Sequence, residues 1–220
     1  MTSLEDLVNR WFLGWSASRE LPAAEATDDG LWIHCAQPGR EFEVFALRAD
    51  DDPGSVSRLA AQVLAMKEHT WLTVPTHRSA DIAAAVEAAG LEVLHRSEWL
   101  MTTDLTRHPH HAPGPGYVCS ARTEGSVIRV SVHDDAGELA ARGQIGLAGT
   151  DAVADRIETM PEHRRRGLGS VVMSALAAEA VAQGAHTGLL IASADGQNLY
   201  TALGWEHLAD AVITQPPAAR

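Results

Sequence analysis

The sequence predicts an α/β protein: a mixed β-sheet flanked by helices, preceded by a smaller α/β half. Three observations carry that expectation. Short apolar runs of β-compatible residues alternate along the chain with stretches of helical period. A segment at 106–116, TRHPHHAPGPG, breaks the pattern with three prolines, two glycines and three histidines, and marks a linker between 1–105 and 117–220. A run of arginines and glycines at 164–169 stands between a predicted strand and the strongest predicted helix.

In the first half, Leu4, Leu7, Val8, Trp11, Phe12 and Trp15 recur at helical spacing, and Ser3 with Asp6 resembles a cap at the helix start. The runs at 31–36 and 42–47 read as strands. After DDDPGS, the apolar positions from Val56 to Met66 predict a helix, and 71–74 a further strand. Ser79 is the expected cap of a helix over 80–89 that Gly90 ends, and 91–105 reads as one long strand or two short ones.

In the second half, strands are expected at 117–119, 127–132 and 138–147, with a turn at 134–137, and a fourth at 152–159 that Pro161 ends. Leu168, Val171, Val172, Ala175 and Leu176 share one face of a helix over 168–183, with Gly184 as its stop. A strand at 187–192 and a helix at 197–203 follow, with Asp195 as the expected N-cap and Gly204 just past the helix end. The halves echo one another: HTWLTV at 69–74 parallels HTGLLI at 186–191, and AAGL at 88–91 parallels ALGW at 202–205. Two copies of a strand-helix-strand unit account for this, as does coincidence among alanine-rich helices that end in glycine.

The chain has 220 residues, with 17 Lys+Arg against 29 Asp+Glu and a formal charge of −12. That charge argues against nucleic acid or an anionic membrane as a partner and suits a small or cationic one. Cys35 and Cys119 are too few for a disulfide framework or a Cys-rich zinc module and read as reduced thiols in a cytoplasm. Glu5 and Asp6 argue against a signal peptide, and no apolar run approaches bilayer-spanning length.

The segment PEHRRRGLGS at 161–170 is an anion site by construction. Gly167 and Gly169 permit close backbone approach, the first N–H groups of the helix lack intrahelical acceptors, and Arg164, Arg165 and Arg166 add positive charge. A solvated turn explains the same composition equally well. The surroundings separate the two, because Arg164-x-x-Gly167-x-Gly169 after a strand, with Leu199-Tyr200 and Leu203-Gly204-Trp205 one strand and helix later, resembles the GNAT superfamily of acyl-CoA-dependent N-acetyltransferases. The resemblance covers about 117–214 and is sharpest over 152–205; a degenerate GNAT-like copy would account for the first half.

The resemblance implies acetyl-CoA as co-substrate, with no metal. The loop from Arg164 through Arg165, Arg166, Gly167, Leu168 and Gly169 to Ser170 would hold its pyrophosphate, and Thr159 and Met160 would pair backbone groups with the pantetheine arm. It also implies acetyl transfer to an amine, on a small molecule or a peptide, by direct attack in a ternary complex. In the first half the matching place holds Asp50, Asp51 and Asp52, which would repel a pyrophosphate. The early helices that GNAT proteins use as a substrate wall are not evident after residue 117, so the first half is expected to supply that wall.

Acyl transfer to an amine needs a base, a polarised carbonyl and an acid for the thiolate. Tyr200 resembles the GNAT tyrosine that faces the coenzyme sulfur, although a packed core ring is the plain alternative. Strand alternation puts Val153, Asp155, Ile157 and Thr159 on one side, and Asp155 resembles the carboxylate four residues before the last strand position that serves as base or amine anchor in some polyamine-type members, with Glu158 in reserve or a first-half residue in its place. A backbone N–H near Met160, where the strand splays, is the expected oxyanion donor. Ser193 stands where the family often has an asparagine, and a hydroxyl can still order a water. His108, His110 and His111 lack a second set of ligands for a metal, Cys119 reads as an inert thiol, and the tryptophans of the first half as core or the wall of an apolar pocket. An acyl-CoA-binding sensor without turnover is the rival from another class. The oligomeric state stays open.

Overall fold

The computed structural model describes residues 2–218, with residues 96 and 97 described by their backbone alone. The first half runs α1 (Leu4–Ser18), β1 (Glu25–Ala26), β2 (Gly30–Gln37), β3 (Arg40–Ala46), α2 (Pro53–Ala65), β4 (Thr70–Thr76), α3 (Ser79–Ala88) and β5 (Glu92–Asp104). The second runs β6 (Tyr117–Glu124), β7 (Val127–Asp134), β8 (Leu139–Ala148), β9 (Asp151–Thr159), α4 (Leu168–Ala182), β10 (Thr187–Ala192), α5 (Ala194–Ala202) and β11 (Glu206–Gln215). Among the described residues no helix is long and apolar enough to cross a membrane.

All eleven strands form one sheet in the order β1-β2-β3-β4-β11-β5-β10-β9-β8-β7-β6. The last strand of each half is inserted into the other: β5 pairs antiparallel with β10, β11 pairs antiparallel with β4, and the two pair with each other. The order therefore reads alike outward from the β11–β5 pair, with β3 parallel to β4 on one side and β9 parallel to β10 on the other. The echoing segments fall at matching places, on β4 and β10, and at Gly90 and Gly204, which both end helices at positive φ (100° and 82°). Of the expected 91–105 stretch, Glu92–Asp104 forms one long strand. The 106–116 segment runs over α4, where the Ser174 hydroxyl accepts from His111 N–H (3.0 Å) and donates to the Pro109 carbonyl (2.8 Å).

Several local expectations hold at residue level. Ser3 caps α1 through the Asp6 N–H (3.1 Å), and the Asp134 carboxylate accepts from Ala136 and Glu138 N–H to close the β7–β8 turn. Three do not. Ser79 is the first residue of α3 and no cap, because its hydroxyl is drawn to Asp210 on β11. Asp195 lies inside α5, whose cap is Ser193, accepting from Gly196 N–H. The alternation along β9 is broken by a bulge: Asp155 pairs with Gln144 and Glu158 with Arg142, so two residues oppose Gly143, and Arg156 takes φ 54°. Asp155 faces α1, whereas Ile157 turns toward Val172 and Leu176 of α4 over Gly143, so Asp155 and Thr159 do not share a face.

Helix α1 lies on the face opposite α4 and ties the halves together. Its Trp11, Phe12 and Trp15 rings meet Phe45 of β3 at centroid distances of 5.1–5.7 Å, while its Gly14 rests on Gly146 of β8 and Val153 of β9. One helix can touch both only because the sheet curls around it. Two forked arginine pairs flank the contact, Arg10 to Asp151 (2.8 and 2.6 Å) and Arg19 to Asp155 (2.8 and 2.8 Å). The apolar residues form three clusters: one under α4 and α5, one under α2 and α3, and one around α1.

A Cβ at position 146 would lie 2.0 Å from the Gly14 carbonyl oxygen and 2.7 Å from Ser18 N, both backbone atoms that cannot step aside. Gly146→Ala is therefore expected to lift α1 and cost about 3 kcal/mol in denaturant unfolding. Gly114→Ala, whose Cβ meets nothing, should be neutral; equal stabilities for the two variants would contradict this packing.

Candidate functional site

Strands β9 and β10 pair over only three residues, Asp151 to Val153 against Thr187 to Leu189. Beyond them the strands part, and the β10-facing backbone groups of 154–159 have no strand partner. The bulge at Arg156 supplies the local twist that opens this gap. The loop after β9 then delivers the chain to the N-terminus of α4.

That loop is open to an anion. Gly167 is the N-cap in the left-handed region (φ 77°), without side-chain capping, and Arg165 also has positive φ (63°). Among the described residues no protein group accepts the backbone N–H groups of 165–169, so five consecutive donors at a helix N-terminus are available. Arg165 is exposed and its side chain has no partner among the described residues. Arg164 leans back, its Nε donating to the Thr159 carbonyl (3.3 Å). Arg166 donates to the Tyr117 hydroxyl (2.6 Å), which also hydrogen-bonds His163 Nδ1 (3.0 Å), and His163 Nε2 lies 3.9 Å from Asp134. Tyr117 and His163 thus brace the loop; the sequence reading missed them because residues 46 apart have no local signal.

Other expected residues contribute differently. Leu168 buries its side chain in the core, so only its N–H faces the loop. Gly169 is glycine for an internal reason as well, since a Cβ there would come within 2.9 Å of the Leu199 side chain. Ser170 N–H turns into the helix toward Gly167 O (3.1 Å). Met160 N–H, in the stretch expected to hold the oxyanion donor, is taken by the Ala140 carbonyl (2.9 Å).

Tyr200 is buried, its ring over Gly196 and 6.0 Å from the Trp205 ring. Its hydroxyl has no hydrogen-bond partner among the described residues and is not sealed from the surface. Burial, and after it the charge of Asp155, raises its pKa well above the usual phenol range, so it keeps its proton at neutral pH. The Ser193 hydroxyl accepts from Gly196 N–H (3.4 Å) and caps α5.

Asp155 is engaged by several donors. Besides the Arg19 fork it accepts from the Ser18 hydroxyl (3.2 Å) and Gln144 Nε2 (3.4 Å), and its side chain is 11% exposed. A carboxylate held this way keeps its charge paired and positions α1. Glu158, the reserve, forms a surface ion pair with Arg142 (2.7 Å). The sequence reading also missed Glu98 of β5 and Glu43 of β3, which line a cavity that Asp155 and Ile191 border at the parting of β9 and β10.

In the first half the corresponding helix start is closed. Asp52 caps α2 through Gly54 N–H (3.0 Å), Pro53 opens the helix, and Arg58 bridges Asp52 and Asp29 (2.7 Å each). The protein's own carboxylates occupy the place an anion would take.

Comparison with known proteins agrees with this geometry. The family model FR47-like protein matches residues 132–213. Among solved structures, a GCN5-related N-acetyltransferase from Kribbella flavida superposes with a TM-score of 0.74 at 14% identity, over 100% of this chain and 97% of that one. A tandem GNAT protein from the clavulanic acid biosynthesis pathway gives 0.60 at 14% identity, over 91% and 85%. A putative acetyltransferase of the GNAT family from Novosphingobium aromaticivorans gives 0.57 at 20% identity, over 95% and 96%. No sequence among the curated proteins matches the chain.

Neither cysteine sits in the gap. Burial, and then the charge of Glu43, pushes the Cys35 thiol up to about 11, and burial alone raises Cys119, which is half-buried. At pH 8 roughly one Cys35 in a thousand would be thiolate. Iodoacetamide at that pH should modify Cys119 slowly in the native protein and Cys35 only after unfolding; fast native labelling of Cys35, followed by peptide mass, would contradict the packing around α1.

Proposed function

The chain is a GNAT-fold protein, and we propose that it moves an acetyl group from acetyl-CoA to a primary amine by direct attack in a ternary complex. The observation that carries this reading is the contrast between the two halves. The first-half helix start at α2 is closed by the Asp52 cap and Pro53, whereas α4 starts with uncapped N–H groups at 165–169 beside parted strands. The fold supports acyl transfer, and the α4 loop supplies the anion cradle such a donor requires.

The backbone N–H groups of 165–169, with Arg165 and the braced Arg166, would hold the pyrophosphate. The unpaired backbone edge of β9 past Val153 would take the pantetheine amides, with Thr159 at its end. When bound, the coenzyme supplies an activated acyl thioester. In the net exchange a C–N bond replaces C–S, the amine loses a proton and the thiolate gains one. Tyr200 retains its proton at neutral pH and has a hydroxyl uncommitted to other groups, so it is suited to give that proton to sulfur. A first-half wall for the acceptor is supplied by α1, which packs on β8 and β9.

A second reading, a sensor that binds acyl-CoA without turnover, is favoured by one observation: Asp155 is locked by Arg19 and the Met160 N–H is spent. Tyr200→Phe separates the two. Under the transferase reading it should slow amine-dependent release of coenzyme A by about 100-fold and leave coenzyme affinity unchanged; an unaltered rate would remove Tyr200 from the mechanism. Titration calorimetry tests the cradle itself. Arg165→Glu, at an exposed and unpartnered site, is expected to weaken acetyl-CoA binding at least about tenfold without changing Tm. Binding by neither wild type nor variant would overturn the assignment.

A further inference from the structure

Beneath α1, where the two halves meet, lies a cavity of about 120 Å³. Trp11, Trp15 and Phe45 form one side, Ile191 and Ile213 part of the other. Its polar lining consists of Thr73, two arginines and three carboxylates. Arg19 is forked onto Asp155. Arg40 donates to Glu43 (2.8 Å), and the Thr73 hydroxyl donates to the other Glu43 oxygen (2.7 Å). Glu98 is left over: half-buried, it has no hydrogen bond or ion pair among the described residues.

Two arginines and three carboxylates leave the lining with one carboxylate in excess, next to indole rings in a partly desolvated space. The complement of that lining is a small organic cation, which a carboxylate and an aromatic face bind together. The site already shows this chemistry, since the Arg19 guanidinium lies 4.9 Å from the centre of the Trp15 ring. The cavity is also in the right place. Asp155 and Ile191 line it on the two strands that part to form the acyl-donor gap, and the charge of Asp155 is felt by the Tyr200 hydroxyl.

We propose that this cavity is the acceptor subsite for a cationic primary amine, with Glu98 holding the ammonium and accepting its proton. The inference rests on the acyl-transfer reading above. The N–H bond breaks with its electron pair left on nitrogen, the proton moves to a Glu98 oxygen, and the neutral amine can then attack the acyl carbon. The volume admits the ammonium and a short alkyl stem, so the rest of a larger substrate would lie outside. Burial holds the Glu98 carboxyl above the usual range, and the charge of Glu43 adds to this, while His95 on its own strand and Arg40 act in the opposite sense. A carboxylate shifted this way is a better proton acceptor than an exposed one.

The test uses the whole chain without coenzyme, following tryptophan fluorescence as n-butylammonium, n-butanol and n-butyrate are added. Only butylammonium should saturate. Glu98→Gln should weaken it at least about tenfold, whereas Glu158→Gln, on the surface, should not. Butanol or butyrate binding as well as the cation would overturn the proposal. So would wild-type affinity in Glu98→Gln, or no response to about 100 mM butylammonium, which corresponds to no useful affinity. The comparison among the three probes is made on wild-type protein, so it stands even if Glu98→Gln does not fold. Coenzyme A titrated into the same samples keeps the two claims apart. Retained coenzyme binding without cation selectivity sinks the subsite alone, and cation selectivity without coenzyme binding sinks the acyl-transfer reading.

Discussion

The backbone of α1 rests on the backbone of β8 at Gly14 and Gly146, with no side chain between them. That contact lets a curled sheet close on a helix, and it places the aromatic residues of α1 against β3 while its arginines reach β9. Because Asp151 and Asp155 are the second-half ends of those arginine forks, the helix that begins the chain sets the position of the strand that borders the donor gap. Removing Arg19 would leave a nearly buried carboxylate unpaired, a change of about 3 kcal/mol. Asp155 thus anchors α1 through the Arg19 fork.

Strand exchange makes the halves inseparable. Each half ends on a strand that completes the other's sheet, and the cavity beneath α1 is walled by both. The two helix starts at α2 and α4 differ in electrostatics. At α2 the sequence DDDPGS supplies its own anion to the helix N-terminus, while at α4 the sequence RRRGLG supplies cations and open N–H groups. The same architecture therefore carries one closed and one open anion position.

Features set by neighbours a few residues away were legible in the sequence: the Ser3 cap, the Asp134 turn, the helix stops at Gly90 and Gly204, and the arginine-glycine loop. Features set across the fold were not. Ser79 looks like a cap until Asp210, 131 residues on, takes its hydroxyl. The alternation of β9 gives no warning of a bulge, because a non-glycine residue, Arg156, adopts the positive φ. An apolar run announces that β5 is a strand, but not that it pairs within the other half, and the strand β11 after Gly204 was not among the expected elements. Glu98 carries no local signal, since its importance lies in having no partner once Arg19 and Arg40 are spoken for.

The account turns on a single open helix start receiving the coenzyme. Amide hydrogen exchange with and without coenzyme A tests this most directly, because N–H groups that lack acceptors exchange freely until a ligand covers them. Slowed exchange at 165–169 and along 154–159, with 50–55 unchanged, is the expected result. Protection at 50–55, or bound coenzyme that leaves 165–169 exchanging as before, would contradict it.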